Sequence, residues 1–492
     1  MSNGDFEKKV GKAATWSTIT ELLAKLISPI SSMVLARLLT PEAFGVVATV
    51  NLVISFADMI TDAGFQKYLV QHDFDNDKAK YQSANVAFWS NLFVSISFWM
   101  IIIVFREQLA SLVGNPGLGH VLVIACISLP LTSFSSIQRG LYQRELDFRT
   151  LFLVRIVGIC IPIVVTIPAA LVTRSYWALI IGTIVKNLSD AVIMTVRSKW
   201  KPKLYYRFTL LKEMFSFSCW TLVEQTTIWL STYIGTFIVS TFLSSYHIGL
   251  YKTSMTTVNQ FTTLITTSTA PVLFSSLSRL QDDMAEFQNM FLKFQRFIGS
   301  VSIPLCVGMF MYKSLVVDIL LGKQWYESID FVGWWSLSGA VVIIGQYCSE
   351  VYRAKGKPKL STLAQVLFLV CSVPALYWGA SRGYEQLCIA QTLSRLSIVA
   401  IHMVLMKIVM GFSIVKLINN ILPCFSSSFV MFVVGMLLQR VSGSFIWSLV
   451  SILACICCYF LSLSISRQYR SEIIQPMYYR IKRAAVKLGR RG

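Results

Sequence analysis

The sequence is poor in charge. Only 14% of its 492 residues are charged, 55% are hydrophobic, and the mean hydropathy is +0.62. An ordinary soluble protein is about a quarter charged, so this composition excludes one. The few charges are mostly basic, with a net charge of +20. No stretch is polar and long enough to fold as a basic domain, so the charge does not indicate nucleic-acid binding.

Several kinds of chemistry are also missing. The four histidines, His72, His120, His247 and His402, are too scattered for a metal cluster or a catalytic dyad. No glycine-rich loop ends in Lys-Ser or Lys-Thr, which argues against ATP hydrolysis. The N-terminus lacks the short apolar region of a signal peptide, and the 11 cysteines fall in or at the ends of apolar stretches. We therefore predict no enzyme, metal, cofactor or disulfide framework.

Long apolar stretches dominate what is present. A membrane helix needs ~20 mostly apolar residues, and fourteen stretches qualify. Because backbone in lipid must be hydrogen-bonded internally, they predict an all-α integral membrane protein. The predicted spans are 14–38, 44–63, 84–105, 119–138, 150–172, 175–196, 214–242, 249–277, 294–320, 329–351, 360–380, 384–406, 418–439 and 443–465.

The basic residues alternate between the two sides of this array. Of the 44, 32 fall before the first span, in the even-numbered loops or after the last span, whereas 6 fall in the odd-numbered loops, when Arg37 and Arg296, which lie close to span ends, are counted with the adjacent loops. Lysine and arginine accumulate on the cytoplasmic side of membrane proteins. The pattern therefore predicts that both termini are cytoplasmic, with a basic tail over 467–492 on the inner leaflet.

The first two spans resemble the seventh and eighth at a shift of 204 residues. Leu39-Thr40 aligns with Leu243-Ser244, and Gly45 aligns with Gly249. We predict two parallel six-span lobes, 1–208 and 209–410, followed by two further spans in 411–466. Such repeats are typical of transporters that rock one lobe against the other. The alternative is a chance likeness between apolar helices.

Charges inside the spans are the candidate site residues, because a charge in a membrane needs a cavity or a partner. The cations would bind an anion in a hydrated cavity, and amides of the hydroxyl-rich spans 7 and 8 would contact water or sugar. These residues are Lys25, Lys186, Lys252, Arg395, Gln225, Asn259 and Gln260. The acids that would balance this charge or carry protons or Na⁺ are Glu21, Glu224, Asp58 and Asp190.

A simpler interpretation is that such charges form ion pairs within one helix or snorkel to the interface. We favour it for the residues close to span ends, which are Asp62, Arg155, Lys313 and Asp318.

Six motifs carry a resemblance to a known family. They are GKAATWS (11–17), LARLLTPEAFGVVA (35–48), Asp62-Ala63-Gly64-Phe65, RGLYQRELDFR (139–149), FSFSCW (215–220) and LGKQW (321–325). In order and spacing they resemble the Wzx-type polysaccharide flippases of the multidrug/oligosaccharidyl-lipid/polysaccharide exporter superfamily. The resemblance covers essentially the whole chain.

The resemblance implies transport of an undecaprenyl-diphosphate-linked oligosaccharide from the cytoplasmic to the periplasmic face of the bacterial inner membrane. There a polymerase would extend it into O-antigen, capsule or exopolysaccharide, which makes polymerase and export machinery candidate partners. By analogy of helices, Lys25 and Lys252 would hold the diphosphate. Two alternatives stay open: a cation-coupled multidrug exporter of the same superfamily, and a membrane enzyme of glycan assembly.

Overall fold

The computed structural model describes residues 23–25, 27–62 and 64–475, with side chains throughout except at 216–221, 223, 224, 267 and 268. Every regular element in these ranges is a helix. Within them, ten helical segments are long and apolar enough to cross a membrane. The predicted all-α membrane architecture is thereby confirmed.

The ten segments are Pro41–Asp62, Asp77–Val104, Gly119–Arg144, Phe148–Thr173, Trp177–Arg197, Met284–Met311, Lys359–Ala380, Tyr384–Met410, Ile414–Gln439 and Phe445–Leu463. Each overlaps one predicted span. Of the other four predicted spans, 214–242 and 249–277 are helical throughout, 329–351 is helical except for a turn at 343–347, and the described part of 14–38 is helical at 23–25 and 27–38.

The helices are numbered along the described chain. They are α1 (27–38, with 23–25 also helical), α2 (Pro41–Asp62), α3 (Phe65–Gln71), α4 (Asp77–Val104), α5 (Arg106–Leu112), α6 (Gly119–Ala125), α7 (Ser128–Arg144), α8 (Phe148–Ile161), α9 (Ile167–Thr173), α10 (Trp177–Arg197), α11 (Phe208–Phe242), α12 (Ser245–Arg279), α13 (Met284–Met311), α14 (Lys313–Leu320), α15 (Ile329–Val342), α16 (Cys348–Ala354), α17 (Lys359–Ala380), α18 (Tyr384–Met410), α19 (Ile414–Gln439), α20 (Phe445–Leu463) and α21 (Arg467–Tyr469).

Some predicted spans are interrupted or displaced. A π-helical turn, Pro162–Thr166, separates α8 from α9, because proline has no N–H and disturbs the preceding turn. The span predicted at 294–320 is instead α13 and α14. The helix begins ten residues earlier because Asp283 caps it, accepting hydrogen bonds from the backbone N–H groups of Ala285 and Glu286 at 3.0 Å.

The chain forms two compact units. The first comprises residues up to Thr253 together with Leu320–Trp325, and the second comprises Ser254–Ile319 and the rest of the chain from Tyr326. The lobe boundary at 208 stays a prediction.

Inside the first unit, α4 and α7 pack through buried polar side chains as well as apolar ones. Ser133 on α7 donates a hydrogen bond to Oδ1 of Asn91 on α4 at 2.8 Å, and its oxygen lies 2.8 Å from that of Ser95. All three residues are buried. Interhelical bonds of this kind hold membrane helices together where apolar burial gives little preference over lipid.

The start of α2 crosses the start of α12 at two glycines of the first unit. A Cβ at Gly45 would overlap the carbonyl oxygen of Ser245, and a Cβ at Gly249 would overlap that of Pro41. Only glycine permits so close an approach. The contact is reciprocal under the 204-residue shift, since Pro41 corresponds to Ser245 and Gly45 to Gly249.

Buried hydrogen bonds surround this crossing. Asn115 donates to the hydroxyl of Thr49 on α2 and accepts from the hydroxyl of Ser245 on α12 at 2.6 Å. The LGKQW segment also packs here: Trp325 donates its indole N–H to the carbonyl of Ala36 at 2.8 Å, and Gln324 donates to that of Leu39 at 2.6 Å. The motifs LARLLTPEAFGVVA and LGKQW therefore contact one another where α1 ends and α2 begins.

The second unit packs α13 against α15 and α19, and α17 against α18. Arg296 of α13 is buried and forms a two-pronged ion pair with Glu472, with both N–O distances 2.9 Å. Tyr312 donates to the hydroxyl of Ser451 on α20 at 2.8 Å. Arg296 lies near the start of the predicted span 294–320, and in the structure it is inside α13. The tail beyond residue 475 lies outside the described residues.

Candidate functional site

Two adjoining cavities lie within the first unit. The larger has a volume of about 540 Å³ and the smaller about 220 Å³. Arg139, Lys186 and Asp190 line both of them. This triad therefore separates the two cavities.

One carboxylate oxygen faces both cations of the triad. Lys186 donates to Oδ2 of Asp190 at 3.1 Å from one turn away on α10, and an arginine nitrogen of Arg139 on α7 lies 3.7 Å from the same oxygen. The side chain of Asp190 is only 6% exposed, whereas those of both cations are 42% exposed. The other oxygen of Asp190 accepts no hydrogen bond from the described residues. The cations thus keep donor capacity on their exposed sides.

The smaller cavity is acidic. Asp58 and Asp62 line it from one face of α2, four residues apart. Thr132 of α7 donates to Asp58 at 2.9 Å, and Ser136, one turn further, donates to Asp62 at 2.7 Å. The two bonds fix α2 against α7. Asp190, Arg139 and Lys186 complete the charged lining, so three carboxylates and two cations face this cavity.

The larger cavity has both cationic and apolar side chains in its lining. Its cations are Arg139, Arg155 and Lys186, and its neutral polar residues are Gln143 and three serines of α1, Ser28, Ser31 and Ser32. Its apolar lining consists of Leu35, Phe148, Leu151, Phe152, Val154, Ile159, Pro162 and Met194. This combination suits a ligand with an anionic group beside a hydrocarbon group.

The structure brings three of the predicted site residues together, namely Lys186, Asp190 and Asp58. Lys25 and Lys252 also lie in the first unit but line neither cavity. Lys252 donates to Thr236 at 3.4 Å, and its Nζ lies 5.5 Å from the ring centre of Tyr233. Gln225 is partly buried on α11 and also lines neither cavity.

Arg395 and Asn259 meet in the second unit, at Trp335. The guanidinium of Arg395 lies 4.0 Å from the ring centre of Trp335 and donates to its carbonyl at 3.1 Å and to the hydroxyl of Ser338 at 3.2 Å. The indole N–H of Trp335 donates to Asn259 at 3.1 Å. Gln260 is partly buried on α12. Glu21 and the side chain of Glu224 lie outside the described residues.

The predicted spans leave Arg139 in the loop after 119–138, and Arg155 is expected to pair within its helix or to snorkel, yet both line the larger cavity. The predicted span ended at residue 138, whereas α7 continues to Arg144. A signal was present: Thr132, Ser136, Arg139 and Gln143 recur at intervals of four, three and four residues. Such intervals place side chains on one helix face.

Comparisons with known proteins agree with this architecture. Residues 34–330 match the family model described as "Polysaccharide biosynthesis protein". The chain is 20% identical over 424 residues to the lipopolysaccharide biosynthesis protein WzxC of Escherichia coli K12, covering 85% of this chain and 80% of that relative. It is 21% identical over 378 residues to the succinoglycan biosynthesis transport protein ExoT of Rhizobium meliloti, covering 76% of this chain and 75% of that relative.

Among solved structures, the chain is similar to the lipid II flippase MurJ in its inward closed conformation, with a TM-score of 0.74 and 15% identity. The match covers 93% of this chain and 99% of that one. At this identity the likeness shows a shared fold. Because the family model spans more than half of the sequence, the chain belongs to the polysaccharide biosynthesis protein family.

Proposed function

We propose that this protein is a flippase that moves an undecaprenyl-diphosphate-linked oligosaccharide from the cytoplasmic to the periplasmic face of the bacterial inner membrane. Membership of the polysaccharide biosynthesis family supports this proposal, as does the fold shared with a lipid II flippase. The diphosphate and sugars cannot cross hydrocarbon unaided, because desolvating a charge there is prohibitively costly. The polyprenyl tail can remain in the bilayer throughout.

The larger cavity is the observation that carries the proposal. Its three cations match an anionic head group, its hydroxyls and Gln143 match sugars, and its aromatic and aliphatic wall matches a lipid chain. A cation-coupled drug exporter would need a cavity for hydrophobic cations, to which three positive side chains are unfavourable.

The positive-inside asymmetry supports a topology of fourteen spans with both termini cytoplasmic. In that topology α2 and α12 begin at the periplasmic side. The glycine crossing of Gly45 and Gly249 would then lie at the periplasmic end. We propose that this crossing opens to release the sugar, in a cycle of alternating access between lobes 1–208 and 209–410.

We propose that protons or Na⁺ drive the cycle through acids of the first unit. Asp58 and Asp190 line the smaller cavity beside Lys186, and Glu21 and Glu224 remain candidates by sequence. Each charge that crosses the membrane with the potential contributes ~2.3 kcal/mol per 100 mV. Lys25, Lys252, Gln225 and Gln260 remain candidates for other parts of the transport path. For Arg395 and Asn259 we propose a structural role at Trp335.

The test is deletion of the gene in its own host. We expect surface polysaccharide to disappear and lipid-linked oligosaccharide to accumulate on the cytoplasmic side of the inner membrane, where an impermeant lectin or glycosidase cannot reach it in spheroplasts. Restoring the gene should reverse both effects. Normal polysaccharide in the deletion strain, together with greater sensitivity to hydrophobic cations, would establish the drug exporter instead.

A further inference from the structure

We propose that the larger cavity binds the phosphates of the transported lipid through Arg139, Arg155 and Lys186, and that these phosphates displace Asp190, which acts as a resident anion in the ligand-free state. This inference rests on the proposed function. It assigns a binding role to two arginines, Arg139 and Arg155, and a competing role to an acid.

The charge of the lining matches the ligand. Three cations and one carboxylate leave two net positive charges around the larger cavity. A diphosphate esterified at both ends, as in a lipid-linked sugar, carries two negative charges. Binding would therefore bring the summed charge around the cavity to zero while Asp190 is ionised and to +1 once the displaced Asp190 is protonated, so most of the charge is compensated within the membrane.

The geometry of Asp190 makes it replaceable. Both cations face one of its oxygens, and Arg139 is 3.7 Å away, beyond good hydrogen-bond distance. A diphosphate offers several oxygens at once, so it can engage the guanidinium at two points and the ammonium at another. Both cations are partly exposed on the cavity side, and an entering anion can reach them without unfolding α7 or α10.

Arg155 distinguishes the larger cavity from the smaller one. It lies on α8, is exposed, and lines only the larger cavity. On the same helix Phe148, Leu151 and Phe152 provide apolar wall. This places a cation directly beside a surface suited to the first isoprene units, which favours a lipid phosphate over a free inorganic anion.

Displacing Asp190 has a consequence for the smaller cavity. A buried carboxylate without a partner is costly, so the released Asp190 would take up a proton in the smaller cavity, which Asp58 and Asp62 also line. Binding of the anion and of the proton would then strengthen one another, as linkage requires.

The experiment is direct binding to the purified full-length protein in nanodiscs, measured by titration with farnesyl diphosphate, inorganic pyrophosphate and farnesol. We expect farnesyl diphosphate to bind at least about ten times more tightly than pyrophosphate, because burying even a few methylene groups contributes ~0.8 kcal/mol each. Farnesol should bind weakly. Equal affinities for farnesyl diphosphate and pyrophosphate would overturn the assignment to a lipid phosphate.

Variants separate binding from folding. Arg155→Gln and Lys186→Gln should each weaken farnesyl diphosphate binding about 10- to 100-fold, the range expected for one charged hydrogen bond, and Arg155→Lys should restore most of it. Asp190→Asn should tighten binding several-fold, which a merely structural carboxylate would not do. Arg149→Gln is the matched control, an exposed arginine of α8 that lines neither cavity, and it should bind like the unaltered protein.

Unchanged binding by Arg155→Gln, or weaker binding by a well-folded Asp190→Asn, would overturn the proposal. The result is independent of the deletion phenotype. If binding follows the expected pattern but the deletion strain exports normally, the proposed function fails and the site stands. If export is lost on deletion but Arg155→Gln binds normally, the site fails and the function stands.

Discussion

Lys186 and Arg395 lie on corresponding helices of the two predicted repeats, α10 and α18, but their surroundings differ. Lys186 contacts a carboxylate side chain at the wall of two cavities. Arg395 is held by a backbone carbonyl, a hydroxyl and the face of an indole. A cation paired with a movable side chain can exchange its partner, whereas one bound to the backbone cannot. A charge in a membrane span therefore indicates function only when its partner is replaceable.

The largest effect should come from removing each cation. Arg395→Met removes two charged hydrogen bonds and the contact with the indole face of Trp335, so we expect about 2 kcal/mol or more of lost stability. Lys186→Met should cost less stability than Arg395→Met, because Arg139 stays 3.7 Å from Asp190 and keeps part of its charge compensated. It should reduce export about tenfold or more, as the loss of one charged hydrogen bond would. Thermal unfolding of the purified proteins measures the loss of stability, and polysaccharide export per unit of folded protein measures the loss of transport.

Equal losses of stability in Arg395→Met and Lys186→Met, or normal export by Lys186→Met, would contradict the proposed difference between the two cations. Arg149→Gln again serves as control, since it changes a basic residue of the first unit without touching either cavity.

The next effect concerns the partners of the two cations. Asp190→Asn frees Lys186 and Arg139, so we expect tighter anion binding and slower export, because a ligand held too firmly is released slowly. Ser338→Ala removes one acceptor from Arg395 and should cost about 1–2 kcal/mol of stability without changing anion binding. Titration with farnesyl diphosphate and thermal unfolding distinguish the outcomes, and faster export by Asp190→Asn would contradict the resident-anion role.

Most of the difference between Lys186 and Arg395 could not be predicted from the sequence. The apolar stretches predicted the spans, and the four-residue interval predicted that Lys186 and Asp190 share a helix face. The third member, Arg139, was missed because α7 extends six residues beyond the predicted end of its span. The sequence predicts a cavity position for Arg395. Its actual acceptors are a carbonyl and a hydroxyl on α15, about sixty residues away in the chain. Only the packing of α15 against α18 brings them together, and no local pattern encodes it.

A smaller effect separates the cations by shape. Lys186→Arg keeps the charge beside Asp190, and we expect export within about threefold of normal, less than the cost of a lost charged hydrogen bond. Arg395→Lys loses the planar group that stacks on Trp335 and donates to two acceptors, so it should cost ~1 kcal/mol or more of stability. Thermal unfolding of both variants measures the stability, and polysaccharide export measures the activity of Lys186→Arg. An equally small loss of stability in Arg395→Lys and Lys186→Arg would show that Arg395 acts only as a point charge.

The smallest expected effect tests whether the first unit has a second cationic position on the transport path. Lys25 is partly buried on a helical segment of the first unit and lines neither cavity. If it contacts the diphosphate at another stage of the cycle, Lys25→Ala should reduce export by less than Lys186→Met does, and Lys25→Arg should be milder still. Farnesyl diphosphate binding to the ligand-free state should stay unchanged in both, because this residue is outside the proposed site. Normal export by stably expressed Lys25→Ala would remove Lys25 from the transport path and leave Lys252 as the candidate cation of the first unit outside Arg139, Arg155 and Lys186.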